Sequence, residues 1–123
     1  MKRLIYVAAP LLLAAAPPQP AKLMISEADY PEAARNAGVE GDVAFDLLID
    51  AKGKVTGCEV TAGAALPAGM AADTCAVAQK RWRYTPARDD AGHKVPGRVH
   101  HAIAWRIALR CPAPDGQTIC VFL

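Results

Sequence analysis

Two periodicities meet in the second half of the chain. Apolar residues first recur every three or four positions, at Ala71, Cys75, Ala78 and Trp82. This spacing predicts a helix with one buried stripe, which Pro86 must end. From Val99 to Arg110, larger apolar or aromatic residues instead alternate with small or polar ones. This second pattern predicts a long strand with one face toward a core, so the basic stretch 81–87 turns the chain from helix to strand.

The first half of the chain predicts a short helix and a pair of strands. Pro31 suits a first helical position, Asp29 precedes it as a fair N-cap, and Gly38 ends the helix. After Gly41, large apolar residues occupy every second position, at Val43, Phe45, Leu47 and Ile49, which predicts a half-buried strand. The turn 50–53 ends in glycine, which favours a second strand, at about 54–62, folded back beside the first.

The C-terminal segment predicts a hairpin between Cys111 and Cys120. A two-residue turn at Asp115-Gly116 places the cysteines opposite each other but puts prolines where ladder N–H groups are needed. A turn at 114–116 with a bulge suits the prolines but shifts the cysteines out of register. Both turns are left open. A further alternative is that residues 117–123 pair with the outer edge of the long strand and cover it.

These elements predict an α+β domain with two helices packed on one face of a three-stranded antiparallel sheet, plus a C-terminal disulfide-linked hairpin. The 123 residues leave room for one domain. A basic start and an apolar run from Leu4 to Ala16 predict a signal peptide or a short N-terminal anchor over residues 1–21. Residues 22–29 are interpreted as a linker and residues 30–123 as the domain.

Export places the four cysteines in an oxidising compartment, which favours two disulfides. Four cysteines allow three pairings. We favour Cys58 with Cys75 and Cys111 with Cys120, because each pair joins neighbouring elements.

The charge balance argues against nucleic-acid binding. The chain has 14 basic and 12 acidic residues, and residues 1–21 hold two of the basic ones, Lys2 and Arg3. The remainder is therefore balanced, at 12 against 12. A neutral domain has no electrostatic footprint for nucleic acid.

The residue types in the chain argue against a catalytic site or a metal site. Ser26 is the only serine and precedes the domain, which argues against a serine triad. His100 and His101 are adjacent in a strand, so they point to opposite faces and do not share one metal. Asp46 and Glu59 lie on neighbouring strands without a predicted pocket, which is typical of a solvated surface. We therefore expect no catalysis, no cofactor, no metal and no small-molecule substrate.

Binding is the remaining function, and the long strand is its candidate site. If the outer edge of this strand is free, it presents unpaired N–H and C=O groups to a partner strand. The candidate partner-binding residues are Ala102, Ile103, Ala104, Trp105 and Arg106.

A set of short motifs spans residues 30–107. They are Tyr30-Pro31 with Ala33-Ala34, Gly38-Val39-Glu40-Gly41, Asp50 to Val55, Arg83-Tyr84-Thr85-Pro86-Ala87-Arg88 with Gly92, and Trp105-Arg106-Ile107. In their order and spacing they resemble the C-terminal domain of the TonB family. The chain departs from the family where Thr61-Ala62-Gly63 replaces Ser-Ser-Gly and where Met70-Ala71 replaces Leu-Asp.

The resemblance implies a non-catalytic periplasmic domain, tethered to the inner membrane if the leader stays uncleaved. Such domains capture a short segment of outer-membrane receptors, the TonB box, by strand addition, and pass on force from an inner-membrane motor during transport. Tyr30 lies nine positions after Ala21, which corresponds to at most roughly 30 Å of extended chain. We therefore expect a stand-alone domain without the family's long proline-rich spacer, and a homodimer is left open. The alternative is a periplasmic structural or regulatory module with a self-capped edge and no receptor coupling.

Overall fold

The structure is a computed structural model that describes residues 14–108, 110–111 and 116–123. Its helices are α1 (Glu32–Ala37) and α2 (Met70–Arg81), and a short 3-10 turn, Glu27–Asp29, precedes α1. Its strands are β1 (Gln19–Lys22), β2 (Gly41–Ile49), β3 (Val55–Ala62), β4 (Arg83–Thr85), β5 (Ala87–Arg88), β6 (Lys94–Val95), β7 (Gly97–Arg106) and β8 (Thr118–Phe122). Residues 1–13 of the predicted leader, Leu109 of the predicted strand and the predicted turn residues 112–115 lie outside the described part of the chain.

The main sheet has four strands in the order β3-β2-β7-β8. Strand β2 pairs antiparallel with β3 and with β7, which confirms the three strands that the alternating patterns predict. The fourth strand is a correction, because β8 pairs with β7 in parallel, from Ala102 opposite Thr118 to Arg106 opposite Phe122. The predicted C-terminal hairpin is therefore wrong. After Arg106 the chain crosses back to the level of Ala102 before it pairs, as a parallel neighbour must.

Both helices bury side chains in the core on one face of this sheet. The inward residues of β2 are buried: Val43, Phe45, Leu47 and Ile49. Helix α2 buries Met70, Thr74 and Ala78, so its stripe begins one residue before the predicted Ala71. The helix ends at Arg81, well before Pro86, because Trp82 is already extended (φ −81°, ψ 144°) and the next three residues form β4.

The turn between β2 and β3 matches its prediction. One carboxylate oxygen of Asp50 accepts the N–H groups of Lys52 and Lys54, each at 2.9 Å, and these bonds lower the pKa of Asp50. Gly53 has φ 85°, and a side chain there would run into the carbonyl oxygen of Tyr84. Glycine at this position therefore lets the turn pack closely against β4.

Residues before the predicted domain also belong to the fold. Strand β1 pairs antiparallel with β4, and Pro18 is buried against the start of β7. A Cβ atom at Gly97 would lie only 2.7 Å from Cγ of Pro18, so glycine makes room for the proline. In the expected linker, Leu23 and Ile25 pack against the core. No helix in the described part of the chain is long and apolar enough to cross a membrane.

Candidate docking edge

The candidate residues Ala102–Arg106, here called the docking segment, lie inside the sheet rather than at its edge. One side of the docking segment pairs with β2, and the other side pairs with β8 along its whole length. The condition of a free outer edge is therefore not met, and the alternative, in which residues 117–123 cover this edge, is the one that the structure shows. An apolar run, Ile119–Leu123, indicates this strand in the sequence, but neither its partner nor its direction.

Backbone groups of the docking segment alternate between the two neighbours. The N–H of Ala102 donates to the carbonyl of Gln117 at 3.3 Å, and the carbonyl of Arg106 accepts from the N–H of Leu123 at 2.9 Å. Because strand residues alternate, Ala102, Ala104 and Arg106 direct their backbone groups to β8. Ile103 and Trp105 direct theirs to β2. A partner strand on this side of β7 would use the even-numbered groups that β8 occupies.

The odd-numbered side chains of the docking segment fix it to the core. Ile103 and Trp105 are fully buried. The indole Nε1–H of Trp105 donates to the hydroxyl of Thr74 at 2.9 Å, and that hydroxyl donates to the carbonyl of Met70 at 2.7 Å. The ring of Tyr30 meets the indole edge-on, with centroids 5.3 Å apart. These contacts join α2 and the segment before α1 to the C-terminal end of β7.

The even-numbered side chains face away from the helices, where the second disulfide lies. Ala104 is directly opposite Cys120, and Cys120 is bonded to Cys111. Ala104 is only 1% exposed. A small side chain on β7 therefore leaves space for the disulfide on this face. Both disulfides match the predicted pairings, and the other one joins Cys58 on β3 to Cys75 on α2 with Cα atoms 5.8 Å apart.

A carboxylate holds the end of β7. One oxygen of Glu40 accepts the N–H groups of Ile107 and Ala108, at 2.7 and 2.9 Å. These two bonds, first that of Ala108, hold the pKa of Glu40 below its usual value. Arg106 forms an ion pair with Asp42 at 2.6 Å. The strand therefore ends at a defined position, from which the chain turns toward Cys111.

His101, which directly precedes the docking segment in β7, is buried. Nε2 of His101 and the hydroxyl of Tyr84 share a hydrogen bond of 2.8 Å, and Nδ1 of His101 is buried with no partner in hydrogen-bond geometry among the described residues. Burial lowers the pKa of His101, His100 acts in the same direction, and the backbone of Gln117 opposes them. Sequence patterns did not single out this pair, although His101 falls on the apolar side of the alternating run.

The exposed face of the sheet carries a network of charges. Asp46 and Glu59 lie on the neighbouring strands β2 and β3, as predicted, and the structure places them directly opposite each other. Arg98 bridges them at 3.0 and 2.9 Å. His100 contacts Asp46 at 2.6 Å, and this bond is the largest cause of the lowered pKa of Asp46. His100 and His101 thus point to opposite faces, as predicted. The described residues contain no cluster of three or more His, Cys, Asp or Glu side chains that would hold a metal ion.

Comparison with known proteins identifies the family of this chain. The profile of the family described as Gram-negative bacterial TonB protein C-terminal matches residues 26–107. That range includes α1, β2, β3, α2 and β7 but ends before β8. The chain has no significant match among curated proteins or among solved structures. Domains of the matched family are periplasmic, non-enzymatic and associated with transport. Because the match covers more than half of the chain and includes both helices and the three antiparallel strands, this chain belongs to the TonB C-terminal family.

Proposed function

We propose that this protein binds an extended segment of an outer-membrane receptor, of the TonB-box type, by strand addition along Ala102–Arg106 during energy-dependent transport. The family match over the helices and strands that position β7 is the observation that carries the proposal. The protein acts as a binding domain in this role, and its partner is a peptide segment rather than a small molecule.

The pairing of β8 supports strand addition at this position. Five consecutive residues of β7 already hold an extended segment, and alternate side chains of that segment point toward the core. Main-chain hydrogen bonds supply affinity in such complexes, and the sites for alternate side chains supply specificity. A receptor segment in the position of β8 would use the same backbone groups.

Titration of the ¹⁵N-labelled full-length protein with a TonB-box peptide tests the proposal. We expect the amide signals of Ala102, Ala104 and Arg106 to shift most, because their backbone groups face the added strand. A peptide with proline at alternate positions is the matched control, since it lacks the ladder N–H groups. The absence of any shift at millimolar peptide would contradict the proposal.

A second candidate function is a periplasmic structural or regulatory module without receptor coupling. The observation that favours it is that β8 covers the docking segment. A Cys111→Ser variant that lacks residues 113–123 separates the two functions when the same peptide is added. Binding to the full-length protein supports receptor capture, and binding only after the deletion supports the self-capped module.

A further inference from the structure

We infer that β8 is an exchangeable cap, a strand of the chain's own that occupies the docking segment, is retained by the Cys111–Cys120 disulfide, and gives way to a partner segment with the same pattern of side chains. The identity of the partner rests on the proposed function. The opening of the cap does not, because it is a property of this chain alone.

The first reason is that β8 is held by few groups. It is five residues long and, among the strands that the structure describes, pairs with β7 alone. Val121 is its one buried residue, and Ile119 is partly buried against the core. The other three side chains lie on the face away from the helices. The family match ends at residue 107, so the core formed by the matched elements lies entirely before β8 in the chain. Such short peripheral elements open at lower free energy than a central sheet.

The second reason is the position of the disulfide. Cys120 is the middle residue of β8, and its bond to Cys111 closes a loop with a sequence separation of 9. A detached cap would still carry this closed loop, which restricts the conformations it gains on release. By the loop-entropy relation the bond suppresses opening by up to about a hundredfold. The disulfide therefore favours the closed cap without fixing it permanently.

The cap also defines which segment can replace it. A replacement must place apolar side chains where Ile119 and Val121 lie, beside Ile103 and Trp105, and a small residue between them where Cys120 faces Ala104. It must also donate a backbone N–H where Leu123 donates to Arg106. The occupant is therefore an extended segment with alternating apolar residues and without proline at the donor positions. A charge in the position of Val121 would be buried without a partner, which is strongly unfavourable.

Native-state amide exchange, followed by NMR in increasing urea without any peptide, tests the opening. We expect the amides of Ala104 and Arg106 to exchange through an opening that barely depends on urea, while those of Ile103 and Trp105 follow global unfolding. In the full-length Cys111→Ser/Cys120→Ser variant, exchange at Ala104 and Arg106 should accelerate by about tenfold to a hundredfold. If all four amides share one rate and one urea dependence in both proteins, the cap opens only when the domain unfolds and the inference is overturned. Unchanged rates at Ala104 and Arg106 in the variant would overturn the role of the disulfide.

The Cys58→Ser/Cys75→Ser variant is the matched control for this experiment. Its disulfide joins β3 to α2, so release of the cap does not open that loop. We expect it to accelerate exchange at Ile103 and Trp105 and to leave Ala104 and Arg106 unchanged. Acceleration at Ala104 and Arg106 as large as at Ile103 and Trp105 would count against an independent cap.

Exchange of the cap is tested with a synthetic peptide of residues 117–123 that carries Cys120→Ser. The full-length Val121→Asp variant, with both C-terminal cysteines replaced by serine, receives the peptide, because its own cap is weakened by a buried charge. We expect binding that shifts Ala104 and Arg106, and at least tenfold weaker binding of the same peptide with Val121→Asp. Equal binding of both peptides, or of neither, would overturn the inference. If this peptide binds and a TonB-box peptide does not, the receptor proposal fails and the cap stands.

Discussion

The hydroxyl of Tyr84 lies 2.8 Å from Nε2 of His101 inside the core, so the strand that carries the docking segment also carries a buried titratable group. The rings of Trp82 and Phe45 lie around the imidazole, with centroids 5.5 and 6.3 Å away. Burial among these rings disfavours the charged imidazolium and lowers the pKa of His101. The raised pKa of Tyr84, which is also caused by burial, keeps the phenol neutral at this contact.

Stability should therefore depend on pH in the range where His101 titrates. Between the lowered pKa of folded His101 and the ordinary value of 6.5, the unfolded chain binds more protons than the folded one. Stability is then complete above about pH 6.5 and is lost as the pH falls from there toward the lowered pKa. We expect urea unfolding to show this slope in the wild type and to lose it in His101→Gln. The His93→Gln variant, which changes an exposed histidine, should keep the slope. An unchanged slope in His101→Gln would refute the assignment.

The disulfide between β3 and α2 should contribute strongly to global stability. Its sequence separation is 17, for which the loop-entropy relation gives about 3 kcal/mol. We expect Cys58→Ser/Cys75→Ser to lower the free energy of urea unfolding by about this amount. Reduction of the Cys111→Ser/Cys120→Ser variant, which retains only this disulfide, should produce the same loss. A loss below about 1 kcal/mol in both experiments would show that the loop-entropy relation does not describe this bond.

The hydroxyl of Thr74 should stabilise the packing of Trp105. In Thr74→Val the shape is nearly retained, but the buried indole N–H of Trp105 loses its acceptor. Leaving a buried donor unsatisfied costs about 1–3 kcal/mol, which urea unfolding would measure. The Thr74→Ser variant retains the hydroxyl and is the matched control. Because Thr74→Val keeps the methyl group and loses only the hydroxyl, an unchanged free energy of unfolding in Thr74→Val would contradict this role of the hydroxyl.

The carboxylate of Glu40 should hold the end of β7 in a pH-dependent way. Its pKa lies below the ordinary 4.5 because it accepts the N–H groups of Ala108 and Ile107. These bonds are present above the ordinary pKa and weaken as the pH falls through the lowered one. We expect the amide signals of Ile107 and Ala108 to titrate together below pH 4.5, and their exchange to accelerate in Glu40→Gln. The Glu32→Gln variant, on the exposed side of α1, should leave both amides unchanged, and a midpoint at or above 4.5 would contradict this role.

Alternation and turn chemistry were sufficient to predict the antiparallel part of the sheet. Residues 41–49 and 97–106 have a period of two, and the turn with Gly53 brings β3 beside β2, so the buried face of each strand is apparent from the sequence. The prediction of helix α2 was less precise. Its buried stripe starts at Met70 rather than Ala71, because Thr74 faces the core. The hydroxyl of Thr74 donates to the carbonyl of Met70 and accepts the indole N–H of Trp105.

The strand that carries the docking segment was predicted, but the surroundings of that segment were not. The sequence placed the docking segment on the long strand and paired Cys111 with Cys120, and the structure agrees with both. It did not predict that His101 pairs with Tyr84 or that Glu40 binds the backbone after β7. Each of these contacts joins residues that are far apart in the sequence, so no local pattern predicts them.

The sequence by itself determined which residues form the core strands and where the chain turns between β2 and β3. Local spacing decides those two features, because side-chain period and turn residues act over a few positions. For the cysteines the sequence only favoured one of three pairings, and the tertiary structure brings those pairs together. Only the tertiary structure decided that β8 lies parallel to β7 and covers the docking segment. A strand of period two offers the same alternating faces to a parallel or an antiparallel neighbour, so its direction depends on the path of the chain after Arg106 and not on its own residues.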